Sequence, residues 1–313
     1  MKIFITGATG YIGGSLAQRL VAEGHRVTGL VRGEARAEQA RARGIVPVLG
    51  TLDDGAVLAE AARAADAVID AASADHPASA GALLSALEGS GKVFLRTSGT
   101  SIVGTRAGGE RVEDVFDEDT PFTPSPARAR RVALDQNARA AAGDLRAVVI
   151  APSLIYGRGH GVNPDSIQVP WLIALARKHG APKHIGSGAN LWSNVHIDDL
   201  VELYLLALDA APAGAFYFAE NGENDMREVC AAIGRMLGQD GRTESMTLAE
   251  AAAEWGEGPA HDTMGSNSRV RGRRARLELG WAPSAPSLLE EIERGCYAGA
   301  ASRRARSSPD DRA

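Results

Sequence analysis

Cysteine is almost absent: Cys230 and Cys296 are the only two in 313 residues. Thiols so far apart make neither a clustered zinc site nor a disulfide framework, so no metal is expected and the setting reads as a reducing cytoplasm. Long apolar runs are missing too. None approaches the ~20 residues that a membrane span needs, and the opening "MKIFITGATG" runs straight into a strand and a turn without a signal-peptide pattern. Nor is there an excess of positive charge. The formal net charge is −5, which argues against nucleic acid as the main partner. Arg128, Arg130 and Arg131, crowded into "SPARARRVALDQ" (125–136), are therefore a local feature. What remains is an ordinary globular composition, 44% hydrophobic and 23% charged. The length suits roughly two domains, or one large α/β domain with an appended lobe.

The first half alternates short β-branched runs with Ala-rich helical stretches. "KIFIT" (2–6), "RVTGLV" (26–31), "IVPVL" (45–49), "AVIDAA" (67–72), "KVFLRTS" (92–98) and "RAVVIAP" (146–152) read as strands. Helices are expected at 11–23, 34–43, 55–65, 78–89 and 127–142. This alternation predicts an α/β fold, a Rossmann-type doubly wound parallel sheet with right-handed crossovers. After residue 152 the rhythm loosens. A Gly-rich stretch, "YGRGHGVNPD", precedes expected helices at 168–179 and 200–210, a strand at 215–219, and helices near 225–237, 247–255, 270–279 and 287–298. The organisation expected is a sheet domain over 1–160, completed by about 195–220, and a smaller C-terminal substrate lobe over 161–194 and 221–299. The polar 300–313 reads as a disordered tail. A small-molecule substrate is expected in the cleft between lobe and sheet.

"ITGATGYIGG" carries glycines at 7, 10 and 13, directly after a strand and before a helix. Gly7 permits the tight turn, Gly10 lets the backbone approach a pyrophosphate, and Gly13 lets the helix pack on the strand. The helix N-terminus then offers its N–H groups to the phosphates, with Thr9, Tyr11 and Ile12 completing the turn. The second strand ends "GLVRGEAR", with Arg32 where an NAD-preferring site places an acid for the ribose 2′-hydroxyl. A guanidinium suits a 2′-phosphate. The cofactor expected is NADP, with NAD as the alternative.

TGxxGxxG at the first turn, followed in order by "TSGTSIVG", "APSLIYGRG" and "VHIDDL", resembles the extended short-chain dehydrogenase/reductase family, home of the nucleotide-sugar epimerases and dehydratases. The likeness spans about residues 1–295. It implies cofactor contacts from Leu52 behind the third strand, Ala71 and Ala72 behind the fourth, and Thr97 on the fifth. Pro152, Leu154 and Ile155 on and after the sixth complete them. It also implies a homodimer through the helices at 78–89 and 127–142. The family's chemistry uses a Ser or Thr after the fifth strand and a Tyr-x-x-x-Lys on the next helix. The tyrosine is the general acid/base, and the lysine binds the nicotinamide ribose and lowers the tyrosine pKa. Here Ser125, Pro126 and Asp135 match that helix, but Ala127 falls where the tyrosine belongs and Arg131 where the lysine belongs. Gly99 falls near the usual hydroxyl, flanked by Ser98, Thr100 and Ser101, and Thr51 stands where an acid near the adenine is usual. The chain looks like an atypical extended member.

An enzyme of this kind needs its acid/base from elsewhere. The candidates for catalysis are Tyr156 after the sixth strand, the hydroxyls of Ser98 and Thr100, and the cation of Arg131, which also serves the ribose. His160 on the Gly-rich loop, with Asn190 and Trp192 ahead of "VHIDDL", are the substrate-lobe candidates; His196 and Asp199 of that phrase read as structural. Arg128 and Arg131 suit the ribose or an anionic substrate, and Arg128 and Arg130 equally suit water. The function expected is an NAD(P)-dependent oxidoreductase or epimerase-like enzyme acting on a small hydroxyl or carbonyl compound. The alternative is a catalytically silent NADP-binding sensor or scaffold.

Overall fold

The computed structural model describes residues 1–141 and 145–298. In chain order, the first part runs β1 (Lys2–Thr6), α1 (Tyr11–Ala22), β2 (Arg26–Val31), α2 (Glu34–Arg41), β3 (Val46–Leu49), α3 (Gly55–Ala64), β4 (Ala67–Asp70) and α4 (Pro77–Leu87). It continues with β5 (Val93–Thr97), β6 (Thr105–Arg106), α5 (Pro126–Ala140), β7 (Arg146–Pro152), β8 (Leu154–Tyr156), α6 (Gln168–His179) and β9 (Lys183–Ile185). Then come β10 (Leu191–His196), α7 (Ile197–Ala210), β11 (Phe216–Ala219), β12 (Glu223–Asp225), α8 (Met226–Met236) and β13 (Glu244–Met246). The last elements are α9 (Leu248–Trp255), α10 (Glu257–Pro259), β14 (Ser266–Asn267), α11 (Arg273–Leu279) and α12 (Leu288–Glu293).

Seven strands form one sheet in the order β11-β7-β5-β4-β1-β2-β3, and all its pairings are parallel. A parallel sheet is covered on both faces, so its central strands are buried and mainly apolar. β4 and β5 are accordingly buried at every position. The period of two then sorts side chains between the faces. Ile3, Ile5, Ile69 and Leu95 pack towards Leu16, Leu20, Leu200 and Tyr204 of α1 and α7. Phe4, Val68 and Phe94 pack towards Leu58, Leu83 and Ala138 of α3, α4 and α5. Strand order reverses between β1 and β4, which opens a crevice at the carboxyl ends of these strands. The glycine turn lies there.

A separate apolar cluster joins Leu154, Leu172, Trp192, Val229, Ile233 and Ile292. Around it lie three small sheets, β12-β10-β8, β13-β9 and β14-β6, which the sequence reading did not contain. The expected helix at 270–279 begins only at Arg273, because the chain before it is held extended. There β14 pairs with β6 and Val270 bridges Phe116. The helix expected over 287–298 is broken at 294–295, α12 ending at Glu293 and helix resuming at 296–298, and the one expected from 200 starts earlier, at Ile197, where His196 Nδ1 accepts the Asp198 N–H at 3.1 Å. Residue 142 of the expected 127–142 helix and the tail 300–313 lie outside the described residues. No described helix is long and apolar enough to cross a membrane.

Candidate nucleotide-binding and active site

The turn after β1 is built for a close approach. Gly7 has φ +72°, and a Cβ there would stand 2.7 Å from the Ala71 carbonyl oxygen. A Cβ on Gly13 would come within 2.4 Å of the Gly7 carbonyl oxygen, so α1 rests directly on the turn. Gly10 caps α1 with no side-chain hydrogen bond, and no acid stands in the first helical turn. Its leading N–H groups are thus available to an anion. This glycine cradle fits the pyrophosphate of a dinucleotide.

Thr6 braces the cradle from below. Its hydroxyl donates to Asp70 at 2.7 Å and accepts the amides of Ala71 and Ala72 at 3.1 and 3.2 Å. Asp70 in turn meets Arg96, which is wholly buried in β5. The Arg96 guanidinium reaches Asp135 of α5 through Nε (2.8 Å), Asp70 through Nη1 (3.2 Å) and the Ala74 carbonyl through Nη2 (2.5 Å). Burial pushes both carboxyls up, against the pull of Arg96 and of the Thr6 and Ser98 hydroxyls. The signal for this network is a charged residue inside the otherwise apolar run "VFLRT". The sequence reading passed over it.

Further along the cleft, α5 carries Ala127, exposed, and Arg131, four residues on and so on the same face. Arg131 Nε donates to Asp75 at 3.0 Å, Nη2 pairs with the same carboxylate, and Nη1 donates to Ser101 Oγ at 3.0 Å. The guanidinium holds the Asp75 carboxyl below its ordinary range. Gly99 makes room for it: a Cβ there would lie 3.3 Å from Arg131 Nη1. Gly99 and Arg131 thus fit one another sterically.

The hydroxyls beside Gly99 divide differently from expectation. Ser98 is buried and donates to Asp135 at 2.5 Å. Thr100 is buried with its oxygens 2.9 Å from Ser268 Oγ. Both are committed to the scaffold, and Ser101 is the one that meets Arg131. A short 3-10 turn over Thr100–Val103 rotates Thr100 and Ser101 out of strand alternation.

The other catalytic and substrate-lobe candidates also move. Tyr156 is fully buried, donates its hydroxyl to the Pro286 carbonyl at 2.8 Å and stands edge-on to His196 with ring centres 5.3 Å apart. Burial raises its pKa, so it is a poor proton donor. His160 is exposed and sits 2.6 Å from Asp198, in an open depression lined by Ser15, Arg19 and Val201. Asn190 is buried, with Nδ2 on the Met264 and Ser266 carbonyls at 2.9 and 2.8 Å. Trp192 Nε1 donates to Ser266 at 2.7 Å. Asn190 and Trp192 therefore pin the 264–268 segment.

Among the cofactor candidates, Thr9 and Ile12 are half-buried at the turn. Tyr11 donates its hydroxyl to the Gly157 carbonyl at 2.9 Å. Leu52 is half-buried against the α3 side of the sheet, and Thr51 is tied to Asp54 at 2.6 and 2.9 Å. Thr97 Oγ1 lies 2.6 Å from the Tyr204 hydroxyl. Pro152 closes β7 beside Gly99, its carbonyl oxygen 3.8 Å from where a Gly99 Cβ would stand, and Leu154 and Ile155 follow in β8. Arg32 is exposed at the end of β2, and its guanidinium has no partner among the described residues.

A sequence model of the NAD dependent epimerase/dehydratase family matches residues 3–217. The "Oxidase ucsJ" of an Acremonium species is 33% identical, the match covering 93% of this chain and 95% of that protein. The "3-diazoavenalumate denitrifying reductase" of a Streptomyces species is 29% identical over 94% of this chain and all of that protein. In structure, the dTDP-glucose 4,6-dehydratase of Bacillus anthracis, solved in complex with NAD, superposes with a TM-score of 0.73 at 19% identity, covering 93% of this chain and 95% of that one. The chain therefore belongs to the NAD dependent epimerase/dehydratase family and is an NAD(P)-dependent enzyme of oxidoreductase or epimerase-like type.

Proposed function

We propose that the chain interconverts a hydroxyl and a carbonyl on a small substrate with NADP, using Ser101 and Arg131 where relatives use tyrosine and lysine. The bound dinucleotide supplies or takes the hydride. The observation that carries the reading is the Asp75–Arg131–Ser101 arrangement over Gly99, on the helix face where the phenol is replaced by exposed Ala127.

Asp75 fixes the guanidinium in one orientation, so Arg131 presents a positive charge that costs no reorganisation during reaction. Ser101 Oγ accepts from Arg131, which leaves its own O–H proton to point at a substrate oxygen. The neighbouring guanidinium stabilises negative charge developing on that oxygen. Water replaces the proton that the hydroxyl gives up. Tyr156, buried with its proton on Pro286, moves no proton in this scheme. Arg32, with no acid beside it, receives the 2′-phosphate. The described residues 161–194 and 221–298 form the wall of the substrate cleft in this reading.

The test is NADPH oxidation by purified protein over a panel of aldehydes and ketones, with Ser101→Ala beside wild type. The expected loss is about 10²-fold in kcat, with the affinity for NADPH held within about twofold. Full activity in Ser101→Ala refutes the assignment of the proton. Tight NADPH binding without turnover on any carbonyl favours a silent sensor.

A further inference from the structure

Arg128 is the third residue of α5, next to exposed Ala127 and three before Arg131. It is partly withdrawn from solvent, and its Nε is shielded without any hydrogen-bond partner. No carboxylate lies within ion-pair distance of it among the described residues. The charges that act on it are Arg131, Asp262, Asp75 and Arg106, and desolvation weakens its hold on a proton. Two of the three arginines there are already matched. Arg131 is held by Asp75, and Arg106 by Asp262 through two contacts of 2.6 and 3.0 Å. Every other arginine withdrawn from solvent among the described residues has a carboxylate or carbonyl partner.

Only Nε is shielded, and leaving it unpaired raises the energy of the free protein. The two outer nitrogens, which have no partner among the described residues, are the edge that an anion can reach. Three guanidiniums against two carboxylates leave one positive charge at this edge of the cleft. That excess matches a single carboxylate, whose two oxygens fit the guanidinium fork. A diphosphate brings more negative charge than the site offsets and meets Asp75 and Asp262 unfavourably. We propose that Arg128 is the anion-binding residue of the substrate cleft and that the substrate carries a carboxylate. This rests on the oxidoreductase reading only for the second of two measurements.

The first is calorimetric titration, in the presence of NADP, with acetate, benzoate, cinnamate and 4-phenylbutyrate, each beside its methyl ester. Wild type, Arg128→Gln and Arg130→Gln are compared, Arg130 being the exposed neighbour. At least one acid is expected to bind about 10- to 100-fold more tightly than its ester. Arg128→Gln removes that preference, Arg130→Gln keeps it, and the melting temperature of Arg128→Gln is not lowered. Equal binding of acid and ester, no binding of any acid, a preference that survives Arg128→Gln, or a melting temperature lowered by several degrees overturns the proposal. So does Arg128-dependent binding of UDP in place of the acids, which marks a diphosphate site. The second measurement is turnover of 2-oxo and 3-oxo acids against their methyl esters. The ratio of kcat/KM is expected to be at least tenfold in favour of the acid and to fall towards one in Arg128→Gln. Arg128-dependent acid binding without turnover sinks the oxidoreductase reading and leaves the carboxylate site standing. Turnover with no acid preference does the reverse.

Discussion

Replacing Arg96 by methionine isolates the buried ionic network of the sheet. The guanidinium spans β5, β4 and α5, with 1% of its side chain exposed, against 1% for Asp70 and 5% for Asp135. Methionine fills much of the same volume but leaves two carboxylates and the Ala74 carbonyl without their partner. Breaking a buried pair from one side costs about 3–5 kcal/mol, here a lower melting temperature by roughly 5–15 °C. The sign of the pH dependence separates this account from simple loss of packing. Burial already pushes both carboxyls up, and losing the cation pushes them further above their unfolded values. The folded variant then binds more protons than its unfolded chain, so its stability rises as pH falls. The deficit against wild type is therefore expected to shrink between pH 8 and pH 5, read by urea unfolding followed by circular dichroism. Because Asp70 supports Thr6, and Thr6 supports Ala71 and Ala72 beside Gly7, NADPH affinity falls along with stability. A deficit below about 1 kcal/mol, or one that stays constant with pH, refutes the electrostatic reasoning.

Two more perturbations act on the nucleotide end. Gly13→Val places a Cβ where 2.4 Å separates it from the Gly7 carbonyl oxygen, so α1 must lift from the turn. NADPH binding, followed by fluorescence, is expected to weaken at least 10²-fold while the folded core persists; near-native affinity would show that the turn does not hold the dinucleotide. Arg32→Glu replaces the free guanidinium at the end of β2 by an acid suited to a 2′-hydroxyl. The NADPH-to-NADH preference is expected to fall at least tenfold, and an unchanged ratio in steady-state kinetics removes Arg32 from cofactor choice.

The parts legible beforehand are those whose physics is local or periodic. The strands at 2–6, 26–31 and 146–152 have the observed bounds, because each is a short, mainly apolar and β-branched run that starts at a charged residue. The glycine turn was equally readable, since only glycine fits where a Cβ would overlap backbone atoms. The hydroxyl beside Arg131 was not. Ser98, Thr100 and Ser101 are equivalent in sequence; Ser98, at the end of β5, is taken by Asp135, and the 3-10 turn that follows sends Thr100 to Ser268 and Ser101 to Arg131. Asn190 and Trp192 looked like cleft residues, yet their partners are 74 to 76 positions away at Met264 and Ser266.

By itself the sequence determined the doubly wound sheet, the dinucleotide cradle and the helix that carries Ala127 and Arg131, because each follows from periodicity or from backbone sterics within a few residues. Only the tertiary structure decided which groups are spent and which remain free. It commits Ser98 and Tyr156 to the scaffold, locks Arg96 between Asp70 and Asp135, and clamps Arg131 onto Asp75. Among the described residues, Arg128 is the partly buried arginine that it leaves without a partner. Whether a polar group is satisfied depends on partners brought in from distant parts of the chain, and in a low-dielectric interior that pairing sets what each group can do.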